Sequence, residues 1–357
     1  MRIIDWYILR KFLTTFVFVV LIVTAVVVVI DITERNDKFI QNSLGVDMIV
    51  KYYVAYIPYI INLVMPILIF IASVFITARM AGHTEIIAIL SSGISFRRMM
   101  RPYLIGALII GGVSFYANGW LIPDANKVRI DFQYKYFGQN KGKAERNLHI
   151  KIAPTTYAFL ESFNQPTLSG TRFTLETIEG TILKEKLSAR RIEWDTTNNN
   201  WKLINWQLRV IDGMQEVVTE GREMDTTINL SPDDFASLTG VQETLTNPEL
   251  AEYIEVLQQR GDDGITLYRT EQYVRNMSPF AAIILTFMGL IVSAKKRRGG
   301  AGLQIAIGFG LAFLFIIFFM FSKAIAEANS MPPLLAVWIP NIIFSTITLV
   351  LYWSLPR

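Results

Sequence analysis

The sequence predicts an α-helical integral membrane protein. Six transmembrane helices are expected, three before and three after an inserted all-β, jellyroll-like periplasmic domain. Three observations lead there. Hydrophobic residues make up 52% of the 357 positions and charged residues 18%, with a mean hydropathy of +0.36, more apolar than a soluble domain tolerates. The apolar residues fall in six uncharged blocks, each close to the ~20 residues that cross ~30 Å of hydrocarbon. Between the third and fourth blocks lies a long polar interval with the residue pattern of short strands. This composition excludes a disordered chain, a nucleic-acid binder built on a basic tail and an ordinary cytosolic enzyme. The chain has no cysteine and only His83 and His149, so thiol chemistry and Cys- or His-rich metal sites are excluded too. No cofactor, metal or nucleic acid is expected.

The first block, Phe12–Ile30, follows Arg2, Arg10 and Lys11. It is too long for a signal-peptide core and lacks an A-x-A cleavage pattern after it, which predicts an uncleaved helix. Ile57–Ala78 and Tyr103–Ile122 are the second and third blocks. Met277–Ala294, Ala301–Ser322 and Leu334–Leu355 are the fourth to sixth. Their Val, Ile and Phe content would suit buried strands, but strands rarely exceed ten residues. Twelve cations lie at one set of span ends: Arg2, Arg10, Lys11, Arg79, Arg97, Arg98, Arg101, Lys295, Lys296, Arg297, Arg298 and Arg357. Only Arg35, Lys38, Lys51 and Lys323 lie in the opposite short loops. By the positive-inside rule both termini are cytoplasmic and the central insert is outside.

The domain boundaries expected are 1–123 for the first three spans, 124–265 for the insert with its flanking helices, and 266–357 for the last three spans. The insert carries 16 Lys/Arg against 22 Asp/Glu, leaving 18 against 8 for the rest, so the two parts meet different surroundings. Strands are predicted over Ile150–Phe163, Thr171–Ile178, Leu187–Trp194, Trp201–Ile211 and Glu216–Asp225. Turns fall at Gln165-Pro166 with Ser169-Gly170, at Asp195–Asn200 and at Asp212-Gly213. Several short strands at this spacing point to a sandwich or jellyroll. Ala125–Phe137 reads as an extension of the third span, and Asn247-Pro248-Glu249 as the start of a helix through Gln259, closed by Gly261.

No G-x-x-x-x-G-K-[ST] loop is present, and the run Gly299-Gly300-Ala301-Gly302 reads as a tight turn between two spans. G-x-S-x-G, H-E-x-x-H and EF-hand patterns are absent as well. The insert's carboxylates read as a solvated face. Lys295–Arg298 and Arg97, Arg98 and Arg101 read as topology anchors. Asn118 and Asn341 read as helix–helix hydrogen bonds. The informative cytoplasmic stretch is Arg79–Arg98. Thr84 can cap a short helix, Glu85 sits at its positive end, and Gly93 ends it. Its residues fit either an interfacial helix lying on the bilayer or a coupling helix, about 84–92, that docks on a cytoplasmic partner. At the opposite ends, Arg35, Lys38 and Lys323 fit either snorkelling or contact with anionic headgroups.

The order of these parts resembles the lipopolysaccharide-export permease family, the paired F and G membrane subunits of the Lpt transporter. The resemblance covers nearly the whole chain. It rests on Ile4-Asp5-x-Tyr7-Ile8 before the first span and on Thr84-Glu85 with Ser92-Gly93 and the arginines that follow. It also rests on Trp201-Lys202-Leu203 and Leu230-Ser231-Pro232-Asp233 in the insert. The most specific run is Leu250-x-x-Tyr253-Ile254-x-x-Leu257-x-x-x-Gly261 with Tyr268, Tyr273, Arg275 and Pro279. The opening, the Trp-Lys-Leu hairpin and the Leu-Ser-Pro-Asp run look more like the G subunit. Unlike that pattern, Val26–Ile30 is uncharged, and the nearest cations are Arg35 and Lys38.

The resemblance implies a multi-pass inner-membrane subunit of an ABC-type exporter. It would extract lipopolysaccharide from the outer leaflet and pass it to a periplasmic jellyroll bridge. Its implied partners are a second permease of the family, a dimeric cytoplasmic ATPase and a membrane-anchored jellyroll subunit. It implies a coupling role for Glu85, Ile86, Ile89, Ser92 and Gly93. It also implies a lipid cavity lined from the first and fifth spans, with Phe16, Phe18, Phe315 and Phe319 as candidates. The chain itself is then not an enzyme. Physical chemistry supports a sheltered path: each methylene moved into water costs ~0.8 kcal/mol, so one acyl chain of about a dozen carbons costs on the order of 10 kcal/mol. A membrane-anchored assembly factor without transport activity is the competing reading. A secondary transporter fits less well, since the spans are nearly free of charge and Pro66 and Pro340 have no ionisable neighbour.

Overall fold

The structure, a computed structural model, describes residues 3–137, 145–164, 167–196, 198–213, 215–228, 230, 232, 240–260, 264–294 and 300–353. Two compact units divide the chain. One takes Met1–Phe137, Gln242–Leu250 and Thr266–Arg357; the other takes Gly138–Val241 and Ala251–Ile265.

In the helical unit six helices are long and apolar enough to cross a membrane. Helix α1 runs Ile3–Gln41, 39 residues, or about 58 Å at ~1.5 Å per residue. That is about twice the hydrocarbon thickness. No proline or glycine interrupts the charged flanks of Phe12–Ile30, so the helix continues past the apolar block at both ends. Helix α2 (Val46–Gly82) holds Pro58 and Pro66, and the seven-residue α3 (Glu85–Ser91) follows it. Helix α4 (Phe96–Tyr116), a π turn at Ala117–Leu121 and α5 (Ile122–Phe137) form the third span and its extension. The last three spans follow: α7 (Ile265–Ser293), α8 (Gly300–Glu327) and α9 (Pro333–Trp353). Gly300, Ala301 and Gly302 therefore open a helix instead of forming a tight turn; Gly299 lies outside the described residues, as do Lys295–Arg298.

Small residues let these helices approach closely. A Cβ on Gly106 would stand 2.5 Å from the Phe12 ring, and one on Gly289 would stand 3.0 Å from Ser73 Oγ. Ser73 donates to the Thr286 carbonyl at 2.7 Å. One core joins Ile8, Phe12, Ile69, Ile76, Met80, Ile86, Met99 and Tyr103; another joins Phe70, Val74, Leu285, Met288, Phe315, Val337 and Phe344. Only 6% of the most apolar stretch of α1 is buried. Ile8, Leu9 and Phe12 are gripped by the bundle, while most of the following span faces outward. Asn118 donates within its own span, to Ser114, which meets Ser278 across the interface at 3.3 Å. Asn341, expected to bridge helices, is buried with no hydrogen-bond partner for either side-chain atom among the described residues.

The second unit carries a six-stranded antiparallel sheet in which the strands follow chain order. They are β1 (Glu145–Ala153), β2 (Thr156–Asn164), β3 (Ser169–Glu179), β4 (Ile182–Asp195), β5 (Asn200–Asp212) and β6 (Gln215–Thr226). The segment Ile150–Phe163, expected as one strand, is broken at Pro154-Thr155. Proline has no N–H for the ladder, and the chain reverses there so that Ala153 pairs with Thr156. Gly180 (φ +67°) and Gly213 (φ +62°) make the β3–β4 and β5–β6 turns, a backbone region costly for other residues. The Asp195–Asn200 hairpin sets Trp194 opposite Trp201.

One face of the sheet is apolar. Leu160, Phe173, Leu187, Ile192, Trp201 and Leu203 form its core, and Leu230 covers it. The buried Trp201 indole donates to the Leu230 carbonyl at 2.7 Å. The rest of the 231–233 signature lies outside the described residues, apart from Pro232. Charge pairs such as Lys186–Glu176 (2.7 Å) and Lys202–Glu223 (2.7 Å) occupy strand surfaces. Helix α6 (Asn247–Arg260) begins with Thr246 as its cap; the closing Gly261 lies outside the described residues.

Candidate functional site

Two groups of polar residues sit at opposite ends of the long helices. The first surrounds α3, at the end that carries residue 3. Thr84 does not cap this helix with its side chain. The chain leaves α2 through His83 and Thr84 with Thr84 in the left-handed region (φ +58°), and the Thr84 hydroxyl donates to the His83 carbonyl instead. Gly93 (φ +81°) follows the helix with open space where a Cβ would be.

Glu85 turns back to α1. Its carboxylate accepts from the Tyr7 hydroxyl at 3.0 Å and from Lys11 Nζ at 3.2 and 3.3 Å. Lys11 also donates to the Tyr7 hydroxyl and lies 4.1 Å from its ring centroid. Asp5 meets Arg98 at 3.8 Å. These pairs join the first turns of α1 to both α3 and α4. Ile86, 3% exposed, is built into the core with Ile8 and Phe12, and Ile89 packs against the same core. Both face inward, so the apolar residues that α3 offers outward are Ile87 and Leu90, not Ile86 and Ile89. Ser92 and Gly93 are exposed.

The second group lies at the Phe137 end. Tyr52, Tyr53, Tyr56 and Tyr59 form a ladder along α2 against Phe39, Phe132 and Phe137. Asp31, 5% exposed, accepts from Tyr53 at 2.9 Å and pairs with Arg35 at 2.8 Å. The Arg35 guanidinium also lies 4.5 Å from the Phe137 ring, and Lys38 donates to the Phe137 carbonyl at 3.3 Å. Lys323 sits apart from them, between Glu271 (3.6 Å) and Glu327 (3.7 Å). The three predicted cations thus form no single basic patch. Two are gathered at Phe137, and the third is matched by carboxylates.

Sequence reasoning missed the densest network here. Arg275, 3% exposed, donates to Glu271 (2.9 Å), to the carbonyls of Leu245 (2.7 Å) and Gln242 (3.0 Å), and to Asn247 Oδ1 (3.2 Å). Arg129, 6% exposed, donates to Glu243 (3.0 Å) and Asn126 (2.9 Å), with its guanidinium 3.7 Å from the Tyr59 ring centroid. Burial, then repulsion from Glu271, holds the Glu243 carboxyl above the usual carboxylate range despite the cations. Glu249 is the opposite: the Thr246 backbone N–H (2.7 Å) and hydroxyl (2.9 Å) hold its carboxyl below that range. Glu249 thereby supplies the carboxylate half of a capping box. Arg275 stood in the run that carries the resemblance, but its role was not read; the signal for the network was its chemistry, two arginines within helical stretches beside apolar spans, which must find partners if they face inward.

The four phenylalanines expected to line one cavity are dispersed. Phe16 packs partly against the core around Phe12, and Phe18 points outward at 61% exposure. Phe315 is buried in the other core with Phe344, and Phe319 stacks on it at a 6.4 Å centroid distance. Among the described residues no cluster of three or more His, Cys, Asp or Glu could hold a metal.

A family model described as "Lipopolysaccharide export system permease LptF/LptG" matches residues 6–354. It covers both subunit types and does not separate them. No curated protein matches the chain.

Proposed function

The chain belongs to the LptF/LptG family of lipopolysaccharide export permeases, and from that premise we propose that it works as one half of an ATP-driven lipopolysaccharide extractor whose fuel is spent in a separate cytoplasmic subunit. It is a multi-pass inner-membrane protein. The proposed orientation puts both termini and α3 in the cytoplasm and the sheet in the periplasm, a placement the Lys/Arg asymmetry supports.

One observation carries the mechanical part of this reading. The short helix between the second and third spans is bonded to the base of α1 through Glu85, Lys11 and Tyr7. At the same time it turns Ile87 and Leu90 outward. A partner that grips that outer face moves the base of α1 directly. The span above Phe12 is nearly unburied within this chain, so it is free to shift against lipid or a second permease. Displacement of α1 narrows a lipid-sheltering path between the paired subunits, and lipid moves toward the sheet. Acyl chains stay out of water throughout, which the ~0.8 kcal/mol per methylene demands. In the paired complex, Phe16 and Phe18 of α1 and the α8 face near Phe319 are the proposed contacts for the chains. Arg35 and Lys38 are the proposed contacts for the anionic headgroup.

Purification from the native membrane tests this reading against the assembly-factor alternative. A nucleotide-hydrolysing subunit, a second permease and bound lipopolysaccharide should co-purify. A preparation that carries periplasmic partners but never an ATPase would favour the assembly factor.

A further inference from the structure

The nine residues Gln242–Leu250 belong to the helical unit, while the chain immediately before them and immediately after them belongs to the other unit. The chain thus dips into the helical unit between two stretches of the insert. Arg275 of α7 binds three acceptors in this segment, the carbonyls of Gln242 and Leu245 and the side chain of Asn247, while Glu271 holds its Nε. Arg129 of α5 binds Glu243, and Asn126 donates to the Glu243 carbonyl at 3.0 Å. Tyr59 of α2 faces the Arg129 guanidinium, and Lys323 of α8 shares Glu271. The π turn of the third span presses on the same segment, where a Cβ on Gly119 would stand 2.6 Å from Asn247 Nδ2. Gln242 and Leu250 are buried. The third and fourth spans therefore hold the segment directly, and Tyr59 of the second and Lys323 of the fifth flank the Arg129 and Glu271 groups of that network. π turns inside helices recur where helices carry function.

We propose that Gln242–Leu250 is a tie-rod: Arg275 and Arg129 hold it to the third and fourth spans, so that movement of those spans is delivered to the insert as lipid is handed over. Arg275 is the main positioning residue. It touches no lipid; it acts through the segment it holds. The inference rests on the exporter reading given above. The tie stays closed through the cycle, because releasing it would leave two guanidinium groups and several carbonyls buried without partners.

The test uses the assembled complex with its ATPase and partner permease in lipopolysaccharide-loaded vesicles. Photo-crosslinking amino acids at Phe18 and at Trp206, a half-buried β5 residue packed against the sheet's apolar core, report lipid at the spans and on the sheet. Arg275→Ala should keep ATP hydrolysis within about twofold and keep the Phe18 adduct, while the Trp206 adduct falls at least tenfold; Arg275→Lys, with a single nitrogen in place of the fork, should fall nearly as far. The chain has no cysteine, so a Gly119→Cys, Asn247→Cys pair forms one defined disulfide, placed where a Cβ on Gly119 would stand 3.1 Å from Asn247 Cγ. Oxidised, it should restore the Trp206 adduct in Arg275→Ala and, beside the native arginine, give the same transfer oxidised as reduced. An unaffected Trp206 adduct in Arg275→Ala would overturn the tie-rod. So would failure of the disulfide to restore it, or loss of transfer on oxidation beside the native arginine with recovery on reduction. Absence of both adducts in the unmodified complex would refute the exporter reading instead.

Discussion

Reversing the charge at Glu85 tests the bond between the short helix and α1. In the structure both Glu85 oxygens lie 3.2–3.3 Å from Lys11 Nζ, and the two side chains are 29% and 33% exposed. A pair this exposed contributes about 0.2–1 kcal/mol to stability, so Glu85→Lys folds. It places two ammonium groups near 4 Å, where repulsion is worth about 1–4 kcal/mol for effective dielectrics between water and a protein surface. At 1.36 kcal/mol per tenfold, that energy set against the coupled step slows lipid release by roughly fivefold to several hundredfold. The assay is ATP hydrolysis alongside lipopolysaccharide release in proteoliposomes containing the whole complex. Glu85→Lys should hydrolyse ATP and release little lipid. The exchange Lys11→Glu, Glu85→Lys restores the attraction, and Tyr7 can serve either partner, so release should return to within about threefold of the starting protein. If the exchanged protein stays as inactive as Glu85→Lys, the Lys11 pair is not the route, and Glu85 acts on something outside this chain.

Four further expectations follow from the structure. Ile87→Ser with Leu90→Ser should weaken binding of the ATPase at least tenfold without lowering the melting temperature of the purified permease, whereas Ile86→Ser should lower the melting temperature because that side chain is in the core. Trp201→Phe removes the indole donor to the Leu230 carbonyl. It should destabilise the sheet by about 1–3 kcal/mol in a denaturant titration followed by fluorescence; an unchanged midpoint would remove that bond from the core's stability. Glu249, held low by Thr246, contributes stability that is fully present above the ordinary carboxylate pKa and lost as pH falls through the folded value, so the deficit of Glu249→Gln should shrink on acidification below about pH 4.5. Glu243, held high, reverses the sign: Glu243→Gln should gain on the unmodified chain as pH rises through the raised value.

The spans were legible because length alone separates a bilayer crossing from a strand: the blocks at 12–30, 57–78, 103–122 and 301–322 fall within observed helices, and those at 277–294 and 334–355 overlap α7 and α9. The hairpins at Asp195–Asn200 and Asp212-Gly213 were legible because turn chemistry is local. The break at Pro154 was not: the alternation runs through it from Ile150 to Phe163, and only the missing N–H marks it. Thr84 misled for a related reason. A capping residue is recognised by type, but here the backbone is left-handed and the hydroxyl bonds to its neighbour. The site was read in part. Glu85 was found from its place at a helix start, yet its partners lie 74 and 78 positions earlier in the chain, a distance no local pattern bridges. Choosing Ile86 over Ile87 required knowing which face of a seven-residue helix meets Phe12. Lys323 was read as a headgroup or interface cation because its second carboxylate partner, Glu271, is 52 residues away.

The account depends most on this chain sheltering lipid while another subunit hydrolyses ATP. The direct measurement is lipopolysaccharide release from vesicles, with and without ATP, for the complex and for the permease pair stripped of its ATPase. The account predicts release only for the complex with ATP, and no hydrolysis by the stripped pair. Nucleotide hydrolysis by the stripped pair, or an active complex that never moves glycolipid, would contradict it.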